Sequence, residues 1–490
     1  MGLIEDILSG KIKTKQELEK AKHSYNMMMS NAELLSLIPP DKISDDVLKL
    51  LRTKPIRTLS GVAVVAIMTK PYPCPGRCIY CPGGVESNTP KSYTGKEPAA
   101  LRAAMNNYDP YLQVHNRLKQ LFAIGHKPSK VELIVMGGTW EFFPKDYREW
   151  FIRRAIQAMN DFPEVKPDRS LELTQQQNET ANIRCVGITF ETRPDYCQDV
   201  EHMLDLGGTR VELGVQSIYD DVLSYVKRGH SIEDTVKATE RLKNAAFKVN
   251  YHIMLNLPKS DPDRDFNMVK TIFEDERFRP DMVKFYPTLV MKGTPLYSLW
   301  KRGKYRSYDM DTLLELLERV IAITPPWVRI MRVQRDIPVP LTDAGPSKGN
   351  LRQILLSKGI RCRDIRCREP FDRPLGKLTP VKREYHASNG TEIFLSYEDL
   401  HNDRIAGFLR LRIDDHASVR ELHVYGEQTP VGEFGDVQHK GIGSSLLEWA
   451  EKLSREFSMR EIRVISGIGV REYYRKHGYR FIRPYMVKRL

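Results

Sequence analysis

The 490-residue sequence contains no run of eighteen apolar residues, so no membrane-spanning helix is expected. Its opening stretch, MGLIEDILSGKIKTKQ, breaks every apolar position with a nearby charge and lacks the hydrophobic centre of a secretory signal. Cysteine is scarce and odd in number, seven in all, which argues against a disulfide framework and for a reducing cytoplasmic setting. There is no second C-x2-C pair, which sets aside a zinc site closed by four thiolates. Acidic residues are the minority, 63 against 76 Lys and Arg, for a net charge of +13. No internal repeat is visible, and the length fits two domains with an N-terminal extension.

Against these absences stand three cysteines in one short loop, Cys74, Cys78 and Cys81, in CPGRCIYC. The C-x3-C-x2-C spacing suits a four-iron, four-sulfur (4Fe-4S) cluster held by only three thiolates. The open iron can be chelated by the amino and carboxylate groups of S-adenosylmethionine, an arrangement that generates radicals. Cys185, Cys197, Cys362 and Cys367 complete the set. Cys362 and Cys367 are candidate zinc ligands, but two thiolates do not close a site without His386 or another donor, and free buried thiols are the competing account.

Residues 1 to 55 read as short amphipathic helices, with Thr14 capping one from Gln16 to Met27 and Asp45 opening another to Leu51. From Val62 the pattern changes to apolar strands at 62–68, 130–139, 184–192, 209–217, 248–258 and 282–290, separated by helical stretches such as DYREWFIRRAIQAM. Six alternating units imply a parallel sheet with right-handed crossovers, closed or partly closed as a barrel, with functional residues at the C-terminal strand ends. Residues 163–182 are polar and read as a surface insertion or mobile loop. A boundary is expected near 370–382, where prolines interrupt all periodicity. Shorter strands follow in EIFLSYED, RIAGFLRLRI and VRELHVYG, then a helix from about Gly441 to Phe457, then EIRVISG.

Three strand ends behind the cysteine loop carry polar signatures. Gly137 and Gly138 permit close approach of backbone to a ligand, while Glu191, Arg193 and Gln216 offer acceptors and donors for S-adenosylmethionine. In the second domain, Gln438, Gly441 and Gly443 form a Q-x-x-G-x-G opening a helix, an arrangement that aims backbone N–H groups at a pyrophosphate. With the preceding ELHVYG strand and the trailing YYRKHGY, it outlines a GCN5-related N-acetyltransferase (GNAT) fold that binds acetyl-coenzyme A. Tyr473 and Tyr474 are either core aromatics or donors at the thioester. Positive charge concentrates in residues 301–385, with nineteen Lys and Arg against ten Asp and Glu. Arg329, Arg332, Arg335, Arg361, Arg363, Arg366 and Arg368 there would suit phosphates, or else structural ion pairs.

Taken together, these segments resemble the catalytic subunit of Elongator, a tRNA uridine-34 acetyltransferase family. The resemblance runs from about Thr58 to Leu490 through SYTGKEPAALRA, VMGGTW, ETRPDYC, RVELGVQS, FYPTLVMKGTPLY, RVQRDIPVPL, VQHKGIGSSLLEWAE and ISGIGVREYYRKHGY. It implies an α/β chain with a helical tRNA-binding extension (1–57), a partial TIM-barrel-like radical S-adenosylmethionine domain (58–370) and a GNAT-type acetyltransferase domain (371–490). Acetyl-CoA would then lie along Glu421, Leu422, His423, Val424, Ile442, Gly443 and Ser444, with Tyr474 near the thioester and Lys130 contacting it from the radical domain. The implied reaction adds the acetyl methyl to C5 of the wobble uridine and, after thioester hydrolysis, leaves 5-carboxymethyluridine. The tRNA anticodon stem-loop would enter a cleft between the domains, and Elongator-type subunits would be partners. Family members with a zinc site carry a further cysteine where this chain has Asp364. The alternative is a protein (histone-type) lysine acetyltransferase with a structural radical domain, which a basic surface suits poorly.

Overall fold

The computed structural model describes residues 2–27, 29–52, 61–360, 362–371, 373–426 and 441–490. Seven strands form one all-parallel sheet in sequential order: β1 (Val62–Met68), β2 (Lys130–Met136), β3 (Arg184–Thr192), β4 (Arg210–Gln216), β5 (Lys248–Leu255), β6 (Met282–Pro287) and β7 (Arg329–Arg332). The sequential order with helical crossovers curls the sheet into an open half-barrel. Residues on its convex side, such as Val131, Leu133 and Val135, are buried in one apolar core with the helices Pro110–Ala123, Lys145–Asp161, Ile232–Asn244 and Met310–Ala322. The alternating residues turn to the concave side, which is charged: Lys130 and Glu132 on β2, Arg210 and Glu212 on β4, Lys248 and His252 on β5, Lys284 on β6.

The second sheet runs β13-β14-β12-β11-β10-β9-β8, built from β8 (Thr379–Ala387), β9 (Gly390–Asp399), β10 (Arg404–Ile413), β11 (Ala417–Val424), β12 (Glu461–Val464), β13 (Arg480–Ile482) and β14 (Tyr485–Arg489). Only β11 and β12 pair in parallel, and the helix Ile442–Glu456 packs Leu446, Leu447 and Ala450 onto the sheet. This sheet docks against the N-terminal ends of the barrel strands. Arg420 of β11 reaches Asp281 just before β6 (Nη1 to Oδ1, 3.0 Å) and the carbonyl of Phe247 just before β5 (2.7 Å). Arg412 donates to Asn244 (2.6 Å), and Lys243 pairs with Glu392 (3.4 Å). Asp281, Glu392, Arg412, Arg420 and Lys243 are at most 1% exposed, so the seam is a buried network of paired charges.

Several expectations change in detail. A seventh strand, only four residues long, was too short to leave a periodic signal. Residues 163–182 are not a mobile loop throughout: they hold the helix Leu171–Asn178, whose inward side is polar. Asn178 is fully buried, accepting from Cys185 N–H (2.7 Å) and donating to the Ile183 carbonyl (3.2 Å), so hydrogen bonding replaces the apolar stripe that composition would reveal. The boundary near 370–382 overlaps β8, an edge strand with alternately exposed side chains. In the N-terminal helices, Thr14 caps Lys15–Ser24 in a capping box with Glu17, a helix that ends three residues earlier than expected, and Ser44 rather than Asp45 caps Asp45–Leu51.

Candidate active site

The loop leaving the C-terminal end of β1 carries Cys74, Cys78 and Cys81, all free and partly exposed. The three thiols do not all lie within 4.8 Å of one another, so they are not drawn together as ligands of a single ion would be. Cationic and hydroxyl donors surround them. Arg228 donates to Cys78 Sγ (3.5 Å) and to the Gly214 carbonyl (2.6 Å), Ser92 Oγ lies 3.4 Å from Cys81 Sγ, and Thr139 Oγ1 lies 3.8 Å from Cys74 Sγ. Burial pushes the Cys81 thiol up, the cost of holding an anion there without a metal.

Gly137 and Gly138 sit at φ +122° and +120° beyond β2, and a Cβ on Gly137 would overlap the Thr69 hydroxyl. Glu191 accepts from the Tyr93 hydroxyl (3.1 Å) at the end of β3. Arg193 is clamped to Asp195 (2.9 and 2.6 Å), yet its Nη1 is buried without a partner and packs directly on Gly76 of the cysteine loop. Gln216 ends β4 at φ +67°, beside a register shift. All five residues expected to hold S-adenosylmethionine thus lie at the C-terminal rim that carries the cysteines. Arg228, Tyr93 and Ser92 were not foreseen; Arg228 is 150 residues from Cys78, and only the fold brings them together.

The residues expected to hold acetyl-CoA lie at the opposite end. Lys130 opens β2, and burial together with Arg184 lowers its pKa. Glu421 is paired with Arg410 (2.9 Å), and His423 stacks on Phe408. Arg420 of the same strand holds Asp281 and the Phe247 carbonyl, which sets β11 across the lower mouth of the half-barrel. At the start of the helix Ile442–Glu456, Gly441 takes φ +79°, and a Cβ on Gly443 would fall 2.8 Å from the Tyr473 hydroxyl. Ser444 Oγ lies 3.4 Å from His477 Nε2. Leu422 and Val424 are partly buried against this core. Tyr474 is a core residue, packed by Tyr473 and Tyr479, and burial raises its pKa; Tyr473 is the one beside the helix start. Gln438 lies outside the described residues. A seven-residue strand separates Lys130 from Gly137, about 20 Å at a strand's rise. The two sets of residues therefore lie toward opposite ends of the barrel strands.

Family models match the Radical SAM superfamily over residues 72–269, the Radical SAM C-terminal domain over 280–359 and the acetyltransferase (GNAT) family over 361–479. The chain is 48% identical to the tRNA uridine(34) acetyltransferase of Methanocaldococcus jannaschii, covering 94% of this chain and 90% of that protein. Against Elongator complex protein 3 of Homo sapiens the identity is 42%, with 99% and 94% covered. The solved archaeal Elp3 of Methanocaldococcus infernus, with an N-terminal deletion, superposes with a TM-score of 0.77 at 44% identity, covering 88% of this chain and all of that one. The chain belongs to the Elongator complex protein 3 family.

Two further expectations are resolved for this Elongator-family chain. Cys362, Asp364 and Cys367 do converge within 4.8 Å, without His386. Their shared cation is Arg352, whose Nη2 lies 2.6 Å from Asp364, 3.1 Å from Cys367 and 3.8 Å from Cys362. Cys362 donates its S–H to Asp364 (2.8 Å), whose other oxygen accepts from Ile330 N–H on β7 (2.9 Å). Much of the arginine cluster is likewise committed internally: Arg329 to Glu369, Arg332 to Asp336, Arg335 to the Ser92 carbonyl, Arg368 to Glu398 (2.5 Å). Arg363 and Arg366 are exposed, Arg366 while donating to the Met331 carbonyl (2.7 Å), and Arg361 lies outside the described residues. Among the described residues, no helix is long and apolar enough to cross a membrane.

Proposed function

We propose that the chain is a tRNA uridine(34) acetyltransferase that converts the wobble uridine to 5-carboxymethyluridine, using acetyl-CoA as the two-carbon donor. The observation that carries this reading is a thiol loop and an acetyltransferase sheet locked to opposite ends of one half-barrel. A 4Fe-4S cluster on Cys74, Cys78 and Cys81 with S-adenosylmethionine supplies, when bound, a radical able to remove an unactivated hydrogen. The donor set fits such a cluster: three free thiols on one loop, with Arg228 placed to offset negative charge at Cys78. Gly137 and Gly138 give the backbone access that the methionine end requires, while Glu191, Arg193 and Gln216 orient the remaining polar groups. Lys130, Glu421 to Val424, Gln438 and Gly441 to Ser444 would bind acetyl-CoA. The hydroxyl of Tyr473, at the helix start, is better placed than that of buried Tyr474 to donate to a thioester oxygen.

The anticodon stem-loop would be held by the N-terminal helices and by exposed cations including Arg363 and Arg366, with the target base turned out of its stack. Elongator-type subunits are further candidate partners. The set at Cys362 and Cys367 does not fit zinc, since Arg352 already neutralises it and a fourth ligand is absent among the described residues. Anaerobic incubation with S-adenosylmethionine, acetyl-CoA, reductant and tRNA, read by nucleoside mass spectrometry, tests the proposal. 5-Carboxymethyluridine is expected, and is expected to vanish with Cys78→Ala. An unmodified tRNA pool, despite full iron loading and tRNA binding, would sink it.

A further inference from the structure

Midway between the two ends, the concave face of β4 and β5 holds polar atoms that the chain leaves unsatisfied. Arg210, 3% exposed, commits Nη1 to Glu132 (2.5 Å), but its Nε and Nη2 have no hydrogen-bond acceptor. Asn250 is fully buried with neither its amide nitrogen nor its oxygen bonded. Glu212, the register partner of Asn250, gives Oε2 to His252 (2.7 Å) and Lys284, while Oε1 makes no hydrogen bond and stands 3.5 Å from Arg210 Nε. Arg210, Glu212 and Asn250 occupy the same pleat face of neighbouring strands, so these free atoms look into one lumen.

Charge selects the ligand. Lys130, Arg184 and Lys248 line that face toward the acetyltransferase sheet, and none has an ion-pair partner within 4 Å among the described residues. Glu132, Glu212 and Glu421 are the carboxylates on that face, against Lys130, Arg184, Lys248 and Arg210. The cations still outnumber the acids, and Lys284 already stands on Glu212 and 3.9 Å from Glu191 where those two and His252 converge, which favours a small anion over a cation. The Nε and Nη2 edge of a guanidinium is the fork that takes a carboxylate through two parallel bonds, and Asn250 adds an N–H.

We propose that the lumen binds an acetate-sized carboxylate on Arg210 and Asn250, on the line between the acetyl-CoA end and the thiol loop. The proposal rests on the acetyl-donor reading only in naming acetate, which a thioester releases on hydrolysis and which also occurs free. The full-length protein, without S-adenosylmethionine, reductant or tRNA, is titrated with [13C]acetate and followed by 13C line broadening. Saturable binding is expected, weakened about tenfold or more by Asn250→Asp, which sets a second carboxylate against the ligand, and by Arg210→Lys, which removes the fork. Acetyl-CoA affinity of Asn250→Asp should stay within about twofold of wild type, separating the lumen from the coenzyme groove. If these variants do not fold, wild-type selectivity decides: formate must compete and methylammonium must not. Labelled acetyl-CoA, added in a second arm, gives the same shifted resonance if the thioester is the source; a signal from added acetate alone points to solvent acetate. Absence of saturation, indifference to Asn250→Asp, equal competition by methylammonium, or a crystal grown with acetate that shows only water on these atoms would overturn the site. Because no radical chemistry enters the titration, its failure leaves the tRNA reading intact, and the reverse also holds.

Discussion

Asp281 is the residue whose loss should be felt most strongly across the seam between the two sheets. It is fully buried, accepts from Arg420 through both oxygens and from Val249 N–H (2.8 Å), and lies 3.7 Å from Arg410. Asp281→Ala leaves Arg420 with only Glu392 (2.7 Å) and the Phe247 carbonyl, while Glu392 must also answer Arg412 and Lys243. Breaking a buried pair from one side costs about 3–5 kcal/mol. At about 2–4 °C per kcal/mol for a large unit, the melting temperature should fall by roughly 10 °C. Burial alone would raise the Asp281 pKa, but Arg420, Lys243 and Arg410 outweigh it and hold the carboxyl below the usual range. Its stabilisation is therefore complete above about pH 4 and is lost as the pH falls through the folded-state value, so Asp281→Ala should also flatten the acid limb of a stability profile. Circular-dichroism melts across pH, with Arg420→Met and the double variant, make the assay. A single-variant cost below about 1 kcal/mol, or strict additivity in the cycle, would refute the coupled network.

Other outcomes follow from the same geometry. Gly137→Ala must push a methyl into the Thr69 hydroxyl at φ +122°, so S-adenosylmethionine affinity by equilibrium dialysis should drop about tenfold or more, and about 1–3 kcal/mol of strain should lower the melt by several degrees. Lys130→Met should raise the KM for acetyl-CoA without altering iron content. In the wild type, coenzyme binding should weaken at a lower pH than a free lysine would dictate, because burial and Arg184 depress the Lys130 pKa. Zinc should not stabilise the wild-type protein, since Arg352 already serves Asp364 and Cys367; Arg352→Ala should acquire zinc affinity, measurable by calorimetry.

Much of the site was legible because its chemistry is local in sequence. Cys74, Cys78 and Cys81 share one loop, Gly137 and Gly138 adjoin one strand, and Gly441 and Gly443 open one helix, so spacing carried those expectations, while Lys130, Ile442 and Ser444 came from the family resemblance. The six longer barrel strands also announced themselves, since one face of each is apolar. Elements stabilised by polar contacts stayed hidden: the helix Leu171–Asn178 buries amides, and β7 is too short to show a period. Nothing local indicated that Arg228 would reach Cys78, that Arg352 would occupy the centre of the Cys362 trio, or that Tyr474 would be core and Tyr473 rim. Cofactor chemistry could be read along the chain, because ligand identity is a property of residue type and spacing. That the thiol rim and the acetyltransferase sheet lie at opposite ends of a charged lumen emerges from the fold, because strand direction and a buried ion network fix that separation across residues far apart in the chain.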